Sequence, residues 1–197
     1  KEGGHQKPQF PSIFLRCLTS LTPHEGPIVL PKVSETLDYE CELVAIIGKR
    51  GRHMTRDNAL SLVAGYSCFN DGSIRQFQRR TSQWDIGKNF DATGGFGPWM
   101  VTADELPPGA AGLNIQTRLN GHVMQSDNTE NMMFPVIDAI VDVTQAMTLE
   151  PGDLLVMGTP SGVGHARKPP VWMKDGDVVE VDVGGIGVLQ NRVVAEA

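Results

Sequence analysis

The sequence predicts an α+β fold that is rich in β-strands and has two or more short helices. Its 197 residues include 22 glycines and 13 prolines, which favour many turns and short strands over a helical bundle. Asn120-Gly121 lies between two strand candidates and is the strongest short signal for a hairpin. No linker or repeat divides the chain, so we expect a single domain over residues 1–197.

The first predicted strand spans residues 37–48, because its apolar and β-branched run ends at Gly48. A helix is predicted over residues 55–64, with Thr55 as its N-cap and apolar residues on one face. Gly65 would end that helix.

An extended segment is predicted at residues 66–71, followed by a long polar and aromatic loop at 72–98 with one helical turn near 74–79. A compact domain rarely keeps a loop of that length unless it serves a site. Residues 135–147 have the apolar spacing of a helix, and Pro135 suits its first turn. The other predicted strands lie at residues 99–102, 114–119, 122–125, 154–157, 178–183 and 187–194.

The charge and cysteine content exclude several classes of partner. The formal net charge is −6 without a basic cluster, which argues against binding to nucleic acid or to an anionic membrane. No apolar run reaches the roughly 18 residues that a membrane span requires. Cys17, Cys41 and Cys68 are odd in number and lack paired spacing, so we expect a reducing compartment and a cytoplasmic location.

Glu40 and Glu42 are the most informative residues, because side chains alternate across a strand and both carboxylates therefore lie on one face. Their repulsion requires a nearby cation or a retained proton. A hard cation such as Mg²⁺, Mn²⁺ or Ca²⁺ prefers carboxylate oxygens, and Asp71 could supply a third. The alternatives are a solvated strand edge for the glutamates and a turn aspartate for Asp71.

Arg75 and Gln78 follow Asp71 by four and seven residues, so one helical turn would place all three on the same face. They could bind a carboxylate or an oxyanion there, or belong to a solvated basic loop. Lys88 could be a surface charge or an electrophilic partner for an enolate. The glycine-rich segment 158–164 could hold an anion on its backbone N–H groups or be an ordinary turn.

Five motifs in order resemble the fumarylacetoacetate hydrolase family, and the resemblance covers nearly the whole chain. It implies a mixed β-sandwich roll of the family's C-terminal type and a homodimer. It also implies that Glu40, Glu42 and Asp71 hold a divalent metal, usually Mg²⁺ or Mn²⁺. The motifs are Asp38–Lys49, Gly65–Gln78, Gly87–Asp91, Gly97–Trp99 and Leu149–Gly164.

The same resemblance assigns the substrate pocket. It implies that Arg75, Gln78 and Lys88 line the pocket and stabilise an enolate or oxyanion. Thr159 would help to bind the carboxylate of a small anionic oxo acid.

One family feature, a histidine followed three residues later by a glutamate that together activate water, is incomplete in this sequence. Glu2 stands at the position of that glutamate, and the histidine would precede Lys1. We therefore expect a further N-terminal segment. His5 does not replace the histidine, because no acid follows three residues later. Arg16 replaces the family's usual lysine.

The expected activity is metal-dependent hydrolysis of a C–C bond in a 1,3-diketo acid of the acylpyruvate or fumarylpyruvate type, in aromatic or organic-acid catabolism. Two alternatives use the same site: isomerisation and decarboxylation of hydroxymuconate-type acids, and decarboxylation of oxaloacetate. A third is a metal-binding module without catalysis.

Overall fold

The computed structural model describes residues 8–197, so Glu2 and His5 lie outside the described residues. Twelve strands and three α-helices form in this part of the chain. The helices are α1 Arg75–Gln78, α2 Asp85–Lys88 and α3 Val136–Ala146. The strands are β1 Leu21–Pro23, β2 Pro27–Leu30, β3 Leu37–Asp38, β4 Cys41–Ile47, β5 Val63–Asp71, β6 Ser73–Ile74, β7 Gly94–Thr102, β8 Asn114–Leu119, β9 His122–Asn128, β10 Leu154–Val156, β11 Val178–Val183 and β12 Gly187–Ala195.

The strands form two five-stranded sheets and a two-stranded ribbon. The first sheet has the order β1-β7-β5-β4-β10 and the second has the order β2-β12-β11-β8-β9, while β3 pairs with β6. Pairing is parallel between β1 and β7 and between β2 and β12, and antiparallel elsewhere. The predicted fold, a β-rich mixed sandwich with a few short helices, is confirmed.

The larger of two apolar clusters lies between the two sheets. Cys41, Leu43 and Ala45 alternate along one face of β4 and pack with Val181 and Leu189 of the opposite sheet. Burial of each large aliphatic side chain stabilises the fold by about 1.5–3 kcal/mol. The intervening positions of β4 point to the other face, where the site described below is built.

Antiparallel pairing of residues 37–47 with 63–74 positions that site. Cys41 lies opposite Asn70, and the N–H of Asp71 donates to the carbonyl of Glu40 at 2.9 Å. Leu37 lies opposite Ile74 in the β3–β6 ribbon. Helix α1 therefore starts beside the acidic end of β4.

The helix predicted at residues 55–64 is wrong. A turn at Thr55–Asn58 is closed by the Asn58 Oδ1, which accepts from the Thr55 N–H at 2.8 Å, and a short 3₁₀ turn spans Ala59–Leu62. Strand β5 then starts and runs through Gly65, where a Cβ would clash with the carbonyl of Val101 on β7. The glycine therefore permits close strand packing and does not end a helix.

The other predicted elements are found with shifted bounds. The helical turn near residues 74–79 is α1, the helix at 135–147 is α3, and the C-terminal strands are β10, β11 and β12. Asn120 and Gly121 have φ values of 51° and 78°, as a tight hairpin turn requires. Helix α2 was not predicted, and β7 starts five residues before the predicted strand. No helix within residues 8–197 is long and apolar enough to cross a membrane.

Candidate functional site

The three predicted metal ligands, Glu40, Glu42 and Asp71, lie together in the structure. One carboxylate oxygen from each lies within 4.8 Å of the others, and all three residues are buried. The glutamates share the face of β4 opposite Cys41, and Asp71 ends the neighbouring strand β5. The Oδ1 of Asn70 accepts from the Glu40 N–H at 3.0 Å and fixes the backbone where β4 begins.

Lys88 reaches this cluster from α2 and is only 2 % exposed, so the surface-charge alternative is excluded. Its Nζ donates to Glu40 Oε2 at 2.8 Å and to Asp71 Oδ2 at 2.5 Å. Burial alone would lower the pKa of Lys88, but the neighbouring carboxylates outweigh burial and raise it. Helix α2 packs closely against Gln78 of α1. Glycine at position 87 permits this packing, because a Cβ there would clash with the backbone of Gln78.

Arg75 is held from two sides. Its Nε donates to Asp38 Oδ2 at 2.9 Å, and its Nη1 donates to Gln78 Oε1 at 2.8 Å. Its Nη2 lies 2.5 Å from Glu40 Oε1 in an ion pair. The predicted pair Arg75 and Gln78 therefore does converge on the acidic cluster, where Arg75 pairs with Glu40.

Asp38 is a site residue that sequence reasoning missed. It is fully buried and accepts from the backbone N–H groups of Gly164 at 2.7 Å and His165 at 3.0 Å, and its Oδ2 lies 3.1 Å from His165 Nδ1. Burial alone would raise the pKa of Asp38, but His165 and Arg75 outweigh it and lower the pKa. Asp38 thereby joins Arg75 to the glycine-rich segment.

Arg16 was also missed, since the sequence showed it only as a replacement of a lysine. Its Nη1 forms an ion pair with Asp71, and its Nη2 donates to Thr93 Oγ1 at 3.0 Å. Its guanidinium lies over the ring of Phe69, 5.5 Å from the ring centroid. Asp71 therefore lies between two cations, Arg16 and Lys88.

Glu42 differs from the other two acids because no cation among residues 8–197 pairs with it. Its Oε2 accepts from the backbone N–H of Gly158. Burial, followed by the negative charges of Asp71 and Glu40, holds the pKa of Glu42 well above its ordinary value of 4.5. Among residues 8–197, Glu42 is thus a buried carboxylate without a direct ion-pair partner.

The cluster therefore fits a divalent cation. Three hard oxygen donors converge, and the shared environment has four carboxylates, including that of Asp38, against the three permanent cations Arg16, Arg75 and Lys88. A divalent cation would supply the charge that Glu42 lacks, and Mg²⁺, Mn²⁺ and Ca²⁺ all favour such donors. Glu40, Glu42 and Asp71 would hold it.

Thr159 and Glu2 are the other two residues predicted to belong to the site. Thr159 directly follows Gly158, so the backbone bond from Gly158 to Glu42 brings the threonine to the edge of the cluster. The role predicted for Glu2 stays a prediction, because that residue lies outside the described part of the chain.

Cys41 points away from the acids into the core. Burial raises the pKa of its thiol to about 12, and the charge of Glu42 adds to that effect. A thiol with this pKa is inert at neutral pH.

The raised pKa of Glu42 predicts how stability changes with pH when metal is removed. A carboxyl group whose pKa is higher in the folded state stabilises the fold while protonated, and that stabilisation is lost as pH rises from its ordinary value of 4.5 through the folded-state value. Asp38 and Glu40 have lowered pKa values, so their contributions are lost only at acid pH. In EDTA, the melting temperature should therefore fall as pH rises from about 4.5 toward neutral pH.

With Mg²⁺ present the same fall should be much smaller, because a bound cation favours the ionised form of Glu42. Differential scanning fluorimetry at matched pH with EDTA or Mg²⁺ measures both curves. A melting temperature in EDTA that stays level or rises over this range would contradict the assignment of Glu42 as an uncompensated acid.

Comparison with known proteins gives a consistent result. Residues 1–194 match the family model described as fumarylacetoacetate (FAA) hydrolase C-terminal. The chain is 41% identical over 95% of its length to the rat protein "Oxaloacetate tautomerase Fahd2a, mitochondrial", of whose length it spans 60%. The chain thus spans about three fifths of this mammalian relative.

Solved structures of related proteins have a fold similar to that of this chain. "Fumarylacetoacetate hydrolase (EaFAH)" from Exiguobacterium antarcticum has a TM-score of 0.88 and 42% identity, covering 93% of this chain and 66% of that one. "5-carboxymethyl-2-hydroxymuconate delta-isomerase" from Mycobacterium smegmatis has a TM-score of 0.88 and 34% identity, covering 98% of this chain and 73% of that one.

Proposed function

The chain belongs to the fumarylacetoacetate hydrolase family, and from this premise we propose that it is a divalent-metal-dependent enzyme that interconverts the keto and enol forms of a 2-oxo acid. The observation that supports the proposal best is the buried cluster of Glu40, Glu42 and Asp71, edged by Lys88 and Arg75. The relative named as an oxaloacetate tautomerase makes a four-carbon oxo dicarboxylate the first substrate to test.

The balance of charge favours an anionic substrate. Four carboxylates face three permanent cations, so a divalent metal would leave the site with a net positive charge. The guanidinium of Arg75, paired with Glu40 and Asp38, adds positive charge beside the cluster and favours a nearby substrate carboxylate. Because the Gln78 carbonyl oxygen accepts from Arg75, its NH₂ group is the part left to donate to an anion.

Proton transfer next to a carbonyl requires a stabilised enolate oxygen. When bound, the metal would supply Lewis-acid stabilisation of that oxygen. The Lys88 ammonium is kept charged by Glu40 and Asp71 and can donate a hydrogen bond to the oxygen that gains negative charge. Burial of these groups excludes water and strengthens each interaction.

Hydrolysis of a C–C bond in a 1,3-diketo acid is the second candidate, and the similarity to a protein titled fumarylacetoacetate hydrolase supports it. It needs the water-activating pair to which Glu2 was assigned. The isomerase and decarboxylase alternatives share the same enolate, and the similarity to a hydroxymuconate isomerase supports the first of them. A metal-binding module without turnover is the remaining alternative.

Product analysis separates these reactions. The chain would be incubated with oxaloacetate, acylpyruvates or fumarylpyruvate, in Mg²⁺ or in EDTA, while the enol absorbance is followed and products are identified by mass. We expect Mg²⁺-dependent loss of enol absorbance in oxaloacetate at constant mass, above the rate with Mg²⁺ alone. Two acids from a diketo acid would favour the hydrolase, and release of CO₂ the decarboxylase. No turnover despite bound metal would favour the binding module.

Assembly and location are separate proposals. We propose a homodimer, for which the exposed side chains of Trp99 and Met100 on β7 offer an apolar surface, and sedimentation equilibrium would test it. A cytoplasmic location also stays a proposal, since the rat relative is named as a mitochondrial protein.

A further inference from the structure

Gln125 on β9 uses all of its hydrogen-bonding capacity in the interior. It is 1 % exposed. Its Oε1 accepts from the backbone N–H of Cys41 at 3.0 Å and from Thr117 Oγ1 at 2.7 Å. Its Nε2 donates to Thr159 Oγ1 at 2.9 Å and to the carbonyl of Pro160 at 2.8 Å. Both acceptor sites and both donor hydrogens of the amide are therefore occupied.

Backbone partners fix which way this amide faces. The N–H of Cys41 can only donate and the carbonyl of Pro160 can only accept, so the Gln125 oxygen must face β4 and its nitrogen must face the glycine-rich segment. Thr159 Oγ1 must then accept from Gln125. The hydroxyl hydrogen of Thr159 is left to donate elsewhere, and no group among residues 8–197 accepts it.

The same amide links the two parts of the site. Cys41 lies between Glu40 and Glu42 in the chain, and Gly158, which precedes Thr159, donates its N–H to Glu42. Gln125 therefore sets the distance between the strand that carries two acids and the segment that carries the threonine hydroxyl.

We propose that Gln125 is a positioning residue that makes the Thr159 hydroxyl an obligatory donor to the carboxylate of a bound oxo acid. The inference rests on the proposed function, because it needs a carboxylate ligand beside the metal cluster. Gln125 acts through Thr159 and does not itself contact the ligand.

Gln125→Glu tests this inference with almost no change in size. The new carboxylate still accepts from Cys41 and Thr117. Its second oxygen can only accept, so it turns the Thr159 hydroxyl hydrogen toward itself and loses the bond to the Pro160 carbonyl, and the ligand loses its donor. We expect the affinity of the Mg²⁺-loaded protein for oxalate, measured by calorimetry, to fall about tenfold or more, as loss of a hydrogen bond to a charged group predicts. Mg²⁺ affinity should stay within about threefold, and KM should rise while kcat changes little.

A double-mutant cycle separates positioning from a general structural effect. Thr159→Val alone should weaken oxalate binding to a similar degree, and Gln125→Glu should add less than about a twofold loss in that background. Thr159→Ser, which keeps the hydroxyl, should restore binding. Gln116→Glu on the neighbouring strand β8 makes the same chemical change away from the site and should leave binding unchanged.

Additive losses in the cycle would overturn the proposal. Unchanged oxalate affinity in Thr159→Val would also overturn it, and that result does not depend on whether Gln125→Glu folds. Oxalate binding requires no turnover, so the two proposals can fail independently. The proposed function would fail if the unmodified chain showed no turnover.

Discussion

Glu42→Gln is expected to lower turnover by at least about a hundredfold and, at the same time, to raise the melting temperature of the metal-free protein by about 3 °C or more. The substitution removes a buried carboxylate that lacks a cation partner among the described residues, while the glutamine oxygen can still accept from Gly158. It also removes one of three oxygen ligands. Calorimetric titration with Mg²⁺ and melting curves in EDTA measure the two effects.

A matched control is available on the second sheet. Glu180 on β11 pairs with Arg118 Nε at 2.9 Å in a partly exposed ion pair, so Glu180→Gln makes the same change outside the acidic cluster. We expect this control to keep normal turnover and Mg²⁺ affinity, with a small change in stability. A Glu42→Gln protein with unchanged Mg²⁺ affinity would show that Glu42 is not a ligand.

Lys88→Met should have the opposite effect on metal-free stability. Glu40 and Asp71 share the Lys88 ammonium, and removing one partner from a buried ion pair costs about 3–5 kcal/mol. The metal-free variant should therefore melt at a markedly lower temperature, and turnover should fall by at least about a hundredfold because the enolate oxygen loses its donor. Mg²⁺ affinity should be retained or increased, because the Lys88 ammonium no longer competes with Mg²⁺ for the carboxylates of Glu40 and Asp71.

The stabilisation that Mg²⁺ gives is the decisive measurement for this variant. The rise in melting temperature on adding Mg²⁺ should be larger for Lys88→Met than for the unmodified protein. Lys174→Met, at an exposed position, serves as the control and should leave both melting curves unchanged. If Mg²⁺ no longer stabilised Lys88→Met, the cation site would depend on the lysine, and the proposed ligand set would be wrong.

The ligand cluster was predictable because it follows from local rules. Strand alternation places Glu40 and Glu42 on one face, and a polar residue at the end of the next strand, Asp71, falls beside them once two strands pair as a hairpin. For Lys88 the sequence left two interpretations open, a surface charge or an electrophilic partner for an enolate. Only the packing of α2 against Gln78 shows that its ammonium is buried among the acids.

The residues that sequence reasoning missed act across long distances in the chain. Arg16 pairs with Asp71, and Asp38 and Gln125 both bind the segment around residues 158–166. No local pattern encodes such pairs, although the position of Asp38 in the motif that carries the glutamates was a usable signal. The helix predicted at residues 55–64 failed for a local reason. Asn58 closes a turn over Thr55–Asn58, a 3₁₀ turn follows at Ala59–Leu62, and the apolar residues after it begin strand β5.

Anomalous diffraction from crystals grown with Mn²⁺ tests the central claim most directly. The account predicts one strong peak per chain at the manganese edge, within about 2.5 Å of a carboxylate oxygen from each of Glu40, Glu42 and Asp71. The peak should be lost in Glu42→Gln. A Mn²⁺ peak on other residues, or none at this cluster under conditions where Mn²⁺ supports turnover, would contradict the assignment of this site.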